Sequence, residues 1–470
     1  MPNFYLILVA AMVVGLMLPI AWFSPRSHGF RKATGLIYLG LTLCLVAYPF
    51  FTSVYYLLFD HGLRRAEPSK FAFALHRSLS AKLPDYIDQR IDSKVAATLT
   101  RFQITATESP VYGAFFYLQA TERLQEQWRL NPSLARQAPA VSGAKAIDAS
   151  LRIMLDRDHS HWVRDYWGED YMTQPNCFYR TLLIGGITSH HNLTKDTRHL
   201  PLLKTTVDDL VSHIDSSRSG LIDDYPGQCF PCDVVCCIAM IEHASKALGE
   251  DRSAWAGKAM ARIMAHYPDG LPPYTADAAS GRQQSPSRGS TNGFFFTYSA
   301  TLSPSESPAW YERYASEFWQ ENDLAAGWRE YSKLSDSPLY GFDPDSGPVL
   351  EGFGTGATGL GLGCTRAHGD HRRAGILGAE MIAAGFPLPG GTLLLPRLVS
   401  DLEHAPYFAE ISILHQLSLV PDAAGNGKAA LAPIPPCTWY ILSVEATVLI
   451  ILLLICKRLL FARNKTADTK

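Results

Sequence analysis

The sequence has almost no net charge, little strand-like alternation and no repeat of fixed length. Its 42 lysines and arginines face 44 acidic residues, a formal net charge of -2. Nothing in that balance supports nucleic-acid binding by electrostatics. Scarce alternation argues against a large sheet, and without a fixed period no solenoid can be read from the chain. The start of the chain lacks the basic segment and small-residue cleavage site of a secretory leader. Nine cysteines, at 44, 177, 229, 232, 236, 237, 364, 437 and 456, lack the spacing of a small disulfide-stapled scaffold, although an oxidising compartment would permit disulfides.

What is present begins with three apolar runs, over residues 4–24, 35–59 and 438–456. Each is long enough, at roughly 20 residues per span, to cross the hydrocarbon core. The expectation is an integral membrane protein with two N-terminal spans in 1–65, an external domain over 66–436, and a third span with a short basic tail over 437–470. Cleavage of the first run as a leader is the alternative. Arg26, Arg31 and Lys32 lie between the first two runs, and Lys457, Arg458, Arg463 and Lys465 follow the third. The positive-inside rule puts both clusters in the cytoplasm and the central domain in the periplasm or outside, in a bacterial inner membrane by expectation. Arg64 and Arg65 lie on the wrong side for this scheme. Glu445 lies within the third run, where a carboxylate is a functional candidate; contact with another helix is the plainer account.

Between the spans, apolar residues recur at three- and four-residue spacing over 70–83, 112–128, 144–157, 177–193, 203–215, 233–248, 255–265, 310–321, 356–367, 371–384 and 408–416, which predicts helices. Long connections such as "LIDDYPGQCFPC" and "YGFDPDSGPVLEGFGTG" separate them, and loops of that length in a helical domain are usually functional. Paired helices joined by alternating short and long loops suggest a mainly α fold, an (α/α)6 barrel or toroid with its pocket at the long-loop end.

The densest chemistry lies in "DDYPGQCFPCDVVCC", residues 223–237. Cys229 and Cys232 ahead of a helix resemble a dithiol pair, but the βαβ setting of such a site is missing. Structural zinc needs two ligand pairs separated by a loop, whereas Cys236 and Cys237 lie one turn beyond Cys232 and diverge; they suit a helix core. Asp233 suits a helix N-cap. Asp223 and Asp224 then remain, on a turn stiffened by Pro226, Gly227 and Pro231 with apolar neighbours. A solvated turn is one account. A buried carboxyl with a raised pKa, able to act as an acid, is the other.

"PNCFYRTLLIGGITSHHNLTKD" followed by "DDYPGQCFPCDVVCCIAMIEHA" resembles the linalool dehydratase/isomerase family over about residues 100–250. Asn176 and Tyr179 match the family's first helix-opening motif; Pro226, Phe230 and Cys232 match its second, with one residue fewer between Phe and Cys. The resemblance implies an (α/α)6 barrel outside the cytoplasm and a cofactor-free lyase or isomerase that handles a small apolar alcohol by proton transfer. The family histidine falls on Leu182 and its first motif cysteine on Asp224. In these terms Asp224 or Cys232 protonates a leaving hydroxyl, Tyr112 or Asp223 is the base, and Tyr179, Asn176, Phe178, Phe230, Arg288 and Glu351 hold the substrate. Glu108 and Tyr112 have a plainer account as a cap and a core aromatic, and Arg288 as part of a surface loop.

Gly354-x-Gly356-x-x-Gly359 follows no strand and lacks the acidic partner of a dinucleotide site; glycines for close helix packing explain it. Asp345 and Glu351 flank the same turn. His190 and His191 lie late in a helix, where ligand roles are not expected. Trp162, Tyr166, Trp167, Tyr171, Tyr274, Trp310 and Trp328 could instead stack on sugar rings, making a carbohydrate enzyme of the cell envelope the rival, with Asp224 and Glu351 flanking a glycosidic bond. A non-catalytic envelope binding protein is the third reading. The expected partners are a small-molecule substrate and the lipid bilayer; a homo-oligomer is left open.

Overall fold

The computed structural model describes residues 28–100, 102–343, 346–388, 390–393, 395, 401–402, 405–421 and 430–461. The apolar run 4–24 lies outside the described residues, as do Arg26, Asp345, Arg463 and Lys465. The chain is mostly helical. Two helical stretches, Arg31–Phe59 and Pro436–Phe461, are long and apolar enough to cross a membrane.

The first stretch comprises α1 (His28–Thr42) and α2 (Tyr48–Phe59), joined by a π-helical turn. It packs against the C-terminal helix, α16 (Pro436–Phe461). The close approach needs Gly35, where a Cβ would meet Leu459 and Leu460 at about 3 Å. Beyond α2, the buried Asp60 carboxylate accepts hydrogen bonds from Ser69 Oγ (2.7 Å) and Phe71 N (2.8 Å). This fixes the outgoing chain to α3 (Lys70–Ser80), which α4 (Leu83–Asp92) follows.

Six further helices pack in cyclic order. They are α5 (Ile104–Leu130), α7 (Cys177–Thr194), α9 (Pro231–Ala247), α11 (Gly289–Leu302), α13 (Thr355–Ala367) and α15 (Phe408–Ser418); each contacts the next, and α15 returns to α5. Between successive members run α6 (Ala144–Leu155), α8 (Leu200–Ser216), α10 (Ser253–Met264), α12 (Ser307–Phe318) and α14 (His371–Gly385), packed on the outside of the ring, with α3 against α15. Burial follows this order. α7, α9 and α11 are buried almost all round, whereas α8 and α10 bury one stripe, the pattern of a surface helix.

Glycine permits the tightest contacts of the inner helices. A Cβ on Gly361 would lie 2.2 Å from the Trp328 ring, and one on Gly289 would lie 1.8 Å from the Arg329 carbonyl oxygen. Gly356, Gly361 and Gly363 of α13 serve close packing, whereas a Cβ on Gly359 would meet nothing within 4 Å.

Every helix predicted from spacing between the spans is present, several with shifted ends. Further ones appear: α4, α11 in the stretch "GSTNGFFFTYSATL", and two short helices, Pro139–Ser142 and His161–Trp167. Short strands also occupy the long connection after α12: β1 (Trp319–Glu321) pairs with β2 (Ala326–Trp328), and β3 (Gly341–Asp343), β4 (Gly347–Leu350) and β5 (Phe353–Gly354) form a three-stranded antiparallel flap that leads into α13.

The segment after Asp60 lies across α14. Cβ atoms at Gly375 and Gly378 would come within 2.6 Å of the Arg64 carbonyl and 2.8 Å of the Leu63 carbonyl. Arg366, fully buried at the end of α13, donates to the carbonyls of Gly62 (3.4 Å), Glu67 (2.7 Å) and Leu419 (2.9 Å). The apolar helices are thus tied to the ring by backbone contacts.

Candidate functional site

The N-terminal halves of four inner helices meet around Tyr112 of α5. Its ring touches Phe116, Phe178 at the start of α7, Phe294 of α11 and Phe408 of α15, with centroids 4.3 to 6.2 Å apart. That four helices contribute their early residues shows that these inner helices run the same way, with N-termini at one end, called here the upper end. Burial pushes the Tyr112 phenol well above its usual range, helped by Tyr298, Asp233, Cys236 and Cys232 nearby. It stays protonated, a hydrogen-bond donor rather than a base.

Asp224 sits on the turn that caps this end. Its backbone N–H donates to the Gln228 carbonyl (2.9 Å), while Phe230 N–H donates to its Oδ2 (2.8 Å). The carboxyl is 1% exposed and its Oδ1 has no hydrogen-bond partner. Burial first, and the neighbouring Asp233 second, raise its pKa well above the ordinary value. Asp233 itself lies in the first turn of α9, where a negative charge meets the positive end of the helix dipole. It is close enough to Asp224 for its charge to raise that carboxyl's pKa further. Cys232 Sγ donates to Asp233 Oδ1 (3.6 Å), and burial holds this thiol above its usual range as well.

At the rim, Tyr225 donates to Glu108 Oε2 (3.1 Å) and packs against Tyr166, with ring centroids 4.7 Å apart. Phe230 meets Tyr274 edge-on, and Arg288 stacks over the Tyr274 ring at 4.0 Å. Arg288 also pairs with Asp343 (2.7 Å), so it joins the flap to the start of α11. Beside it, the fully buried Glu330 accepts from Ser290 Oγ (2.9 Å) and Ser290 N (3.3 Å). Burial raises its pKa to about 7 against the opposing hydrogen bonds from Ser346 and Ser290.

The structure does not gather all the residues expected from sequence. Asp224, Cys232, Tyr112, Phe178 and Phe230 belong to the upper end. Asp223 stays on the half-buried turn, its Oδ2 holding Gly227 N (3.0 Å). Asn176 adopts a left-handed conformation and donates to the Tyr171 carbonyl (3.1 Å). Tyr179, one residue beyond Phe178, turns outward and donates to the Met154 carbonyl of α6 (3.2 Å). Glu351 is exposed on the flap, where Tyr340 donates to it (3.3 Å). Sequence reasoning placed neither Tyr298 nor Cys236 at the site. The cysteine pair of α9 separates as helix geometry requires: Cys236 lies beside Tyr298, and Cys237 beside Cys177 and Thr181 of α7.

Scanned against protein-family models and against curated proteins, the chain matches none.

A second polar cluster lies toward the lower end. Glu122 accepts from Ser189 Oγ (2.6 Å), Asn192 Nδ2 (2.7 Å) and His243 Nε2 (3.0 Å). Burial alone would raise its pKa, but the His243 charge and these three hydrogen bonds outweigh it and bring it to about 2. Gln119 donates to Ser189 Oγ (2.8 Å), and Arg123 bridges the Gln119 side-chain oxygen (3.3 Å) and His415 Nε2 (2.9 Å). Burial, then the charge of Arg123, holds His415 far below its usual pKa, so it is neutral and accepts. These contacts link α5, α7, α9 and α15, while His243 Nδ1 and His415 Nδ1 are buried without a hydrogen-bond partner.

Of two cavities among the described residues, the smaller adjoins the upper cluster at Phe408. One of about 10 Å3 is lined by Tyr86, Ser109 and Phe408 among others, and one of about 480 Å3 by His266, Asp269 and Arg282 among others.

Proposed function

We propose that the chain is a membrane-anchored acid/base enzyme of the linalool dehydratase/isomerase type, its six inner helices and their outer partners forming an (α/α)6 toroid that faces away from the cytoplasm. The substrate is a small apolar alcohol and no cofactor takes part. The observation that carries this reading is Asp224: a carboxyl kept protonated by burial, with a free Oδ1, next to a second carboxyl at a helix N-terminus. Asp224 donates its proton to the leaving hydroxyl, and Asp233 removes a proton from the neighbouring carbon. Asp233 suits the base role better than Asp223, which caps its own turn. Tyr112, protonated, orients the hydroxyl. Phe116, Phe178, Phe294 and Phe408 exclude water from the cationic transition state. Since aromatic rings fill the space around Tyr112, binding requires the 225–230 turn to move outward.

The rival, a carbohydrate enzyme, draws on Tyr166, Tyr225 and Tyr274 at the rim, faces on which a sugar could stack. One experiment separates the two. Purified protein in lipid nanodiscs is incubated with small allylic alcohols and, in parallel, with envelope glycans, and products are read by mass spectrometry. Dehydration or isomerisation that disappears in Asp224→Asn supports the proposal; glycan cleavage with inert alcohols replaces it by the rival.

A further inference from the structure

The flap carries an apolar surface that nothing in the ring uses. Leu324, Leu334, Leu339, Tyr340, Phe342 and Leu350 are 49% to 83% exposed, and all lie in the connection between α12 and α13. Isolated exposed leucines need no account, but a clustered set on one connection marks a contact surface.

Strand geometry explains why they face outward. β3 and β4 pair antiparallel, Gly341 with Val349 and Asp343 with Gly347. Asp343 is 4% exposed because Arg288 and Tyr331 (3.2 Å) bind its carboxylate, and Val349 is 1% exposed. Side chains alternate along a strand, so fixing Asp343 and Val349 inward turns their neighbours Phe342 and Leu350 outward. Leu339 and Tyr340 follow, since the Leu339 carbonyl accepts from Gly352 N (2.8 Å) and Tyr340 reaches Glu351.

The position of this surface names its partner. The Leu324 carbonyl, at the tip of the β1–β2 hairpin, accepts from Cys437 N (2.8 Å) in the first turn of α16. Two residues further on, Trp439 and Tyr440 are exposed, the residue types that gather where a spanning helix meets the headgroups. The second hairpin is coupled to the first by Gln320 of β1, which donates to the Glu351 carbonyl (2.9 Å). The apolar surface is therefore continuous with the point at which α16 leaves the folded domain.

We infer that the flap docks on the bilayer surface, its leucines and aromatic rings entering the headgroup boundary beside α16. The exposed charges of this connection, Glu321, Asp323, Lys333, Asp336 and Glu351, are mostly acidic, so the contact is apolar and does not require anionic lipid. Because β5 leads straight into α13 at the upper end, the docked flap sets the rim of the proposed site beside lipid, the phase in which an apolar alcohol dissolves. The docking itself rests only on α16 crossing the membrane.

The test is photocrosslinking of the full chain in zwitterionic nanodiscs, with benzoylphenylalanine placed at Phe342, at Leu350, at Ile451 of α16, or at the exposed Leu130 at the lower end of α5. Docking predicts lipid adducts at 342 and 350 at least about 10-fold above those at 130 and comparable with those at 451, as expected for residues immersed in the interface. Adducts at 451 with none at 342 and 350 overturn the docked flap while leaving the spanning helix intact. Silence at 451 as well removes the membrane and the inference together. Neither readout depends on enzymatic activity, so failure of the proposed reaction is a separate result.

Discussion

At the upper end of the ring Asp224 and Glu330 are buried and their pKa values are raised by that burial; toward the lower end Glu122 is also buried and yet its pKa is lowered. Burial penalises the charged form in all three. The difference lies in what surrounds each carboxyl. Glu122 receives hydrogen bonds from three side chains, one of them a histidine, whereas Asp224 receives one backbone N–H and faces a second carboxyl. A fully satisfied carboxylate is locked in place and can give up nothing; a protonated carboxyl with an open oxygen can transfer its proton. Under the proposed function, chemistry belongs to the upper end and cohesion to the lower.

The sharpest way to break that assignment is Asp224→Asn. The amide preserves shape and the contact with Phe230 N, so the melting temperature should hold while turnover of any alcohol substrate falls by roughly 100-fold to 10,000-fold, the usual contribution of a positioned acid. Unchanged turnover would remove the acid role. Glu122→Gln should do the reverse at the lower end. It leaves His243 without its charged partner, and urea unfolding should show a loss of about 3 kcal/mol. A loss of activity with intact stability would show that chemistry extends to that end.

The pH dependence separates the two ends as well. Glu330 has its folded pKa raised from 4.5 to about 7, so the folded state binds more protons than the unfolded state across that window. Stability from this group is present below the unfolded value and falls as pH rises through 7, by roughly 3 kcal/mol. Glu330→Gln should flatten the profile between pH 5 and 8. Glu122, with its pKa depressed to about 2, works in the opposite direction: its stabilisation is present above the ordinary carboxyl value and is lost as pH falls toward 2. In Glu122→Gln the acid limb of the stability profile should therefore shrink. The smallest effect is expected from Ser189→Ala, which removes one of the three donors to Glu122 and should cost about 1 kcal/mol in the same unfolding assay.

Much of the helical framework was legible because outer and half-buried helices keep a polar face. α8 and α10 alternate polar and apolar residues at helical spacing, and their limits lie within a few residues of the pattern. α11 was not legible for the opposite reason. It is buried on every side, so "GSTNGFFFTYSATL" shows no apolar stripe, and its three consecutive phenylalanines carry no helical period. Missing α11 meant missing Tyr298. Pro110 hid the start of α5, which begins at Ile104 and places Glu108 inside the helix.

The site was legible in part. Asp224 was recognisable because prolines, a glycine and apolar neighbours frame its turn. Phe178 and Tyr179 were taken together, but adjacent residues on a helix point about 100° apart, and only Phe178 faces Tyr112. Buried Glu122 and half-buried His243 lie 121 residues apart in sequence, and no local pattern joins them.

The sequence by itself determined that the chain is mainly helical, that apolar runs long enough to cross a membrane flank the central region, and that a stiff carboxyl-bearing turn precedes an apolar helix. Each of these follows from local composition and spacing. The tertiary structure decided which carboxyl has its pKa raised, which aromatic rings face one another, and that the β1–β2 hairpin beside the flap meets the start of α16. Those properties depend on desolvation and on partners from distant segments, and neither is encoded within any single window of the chain.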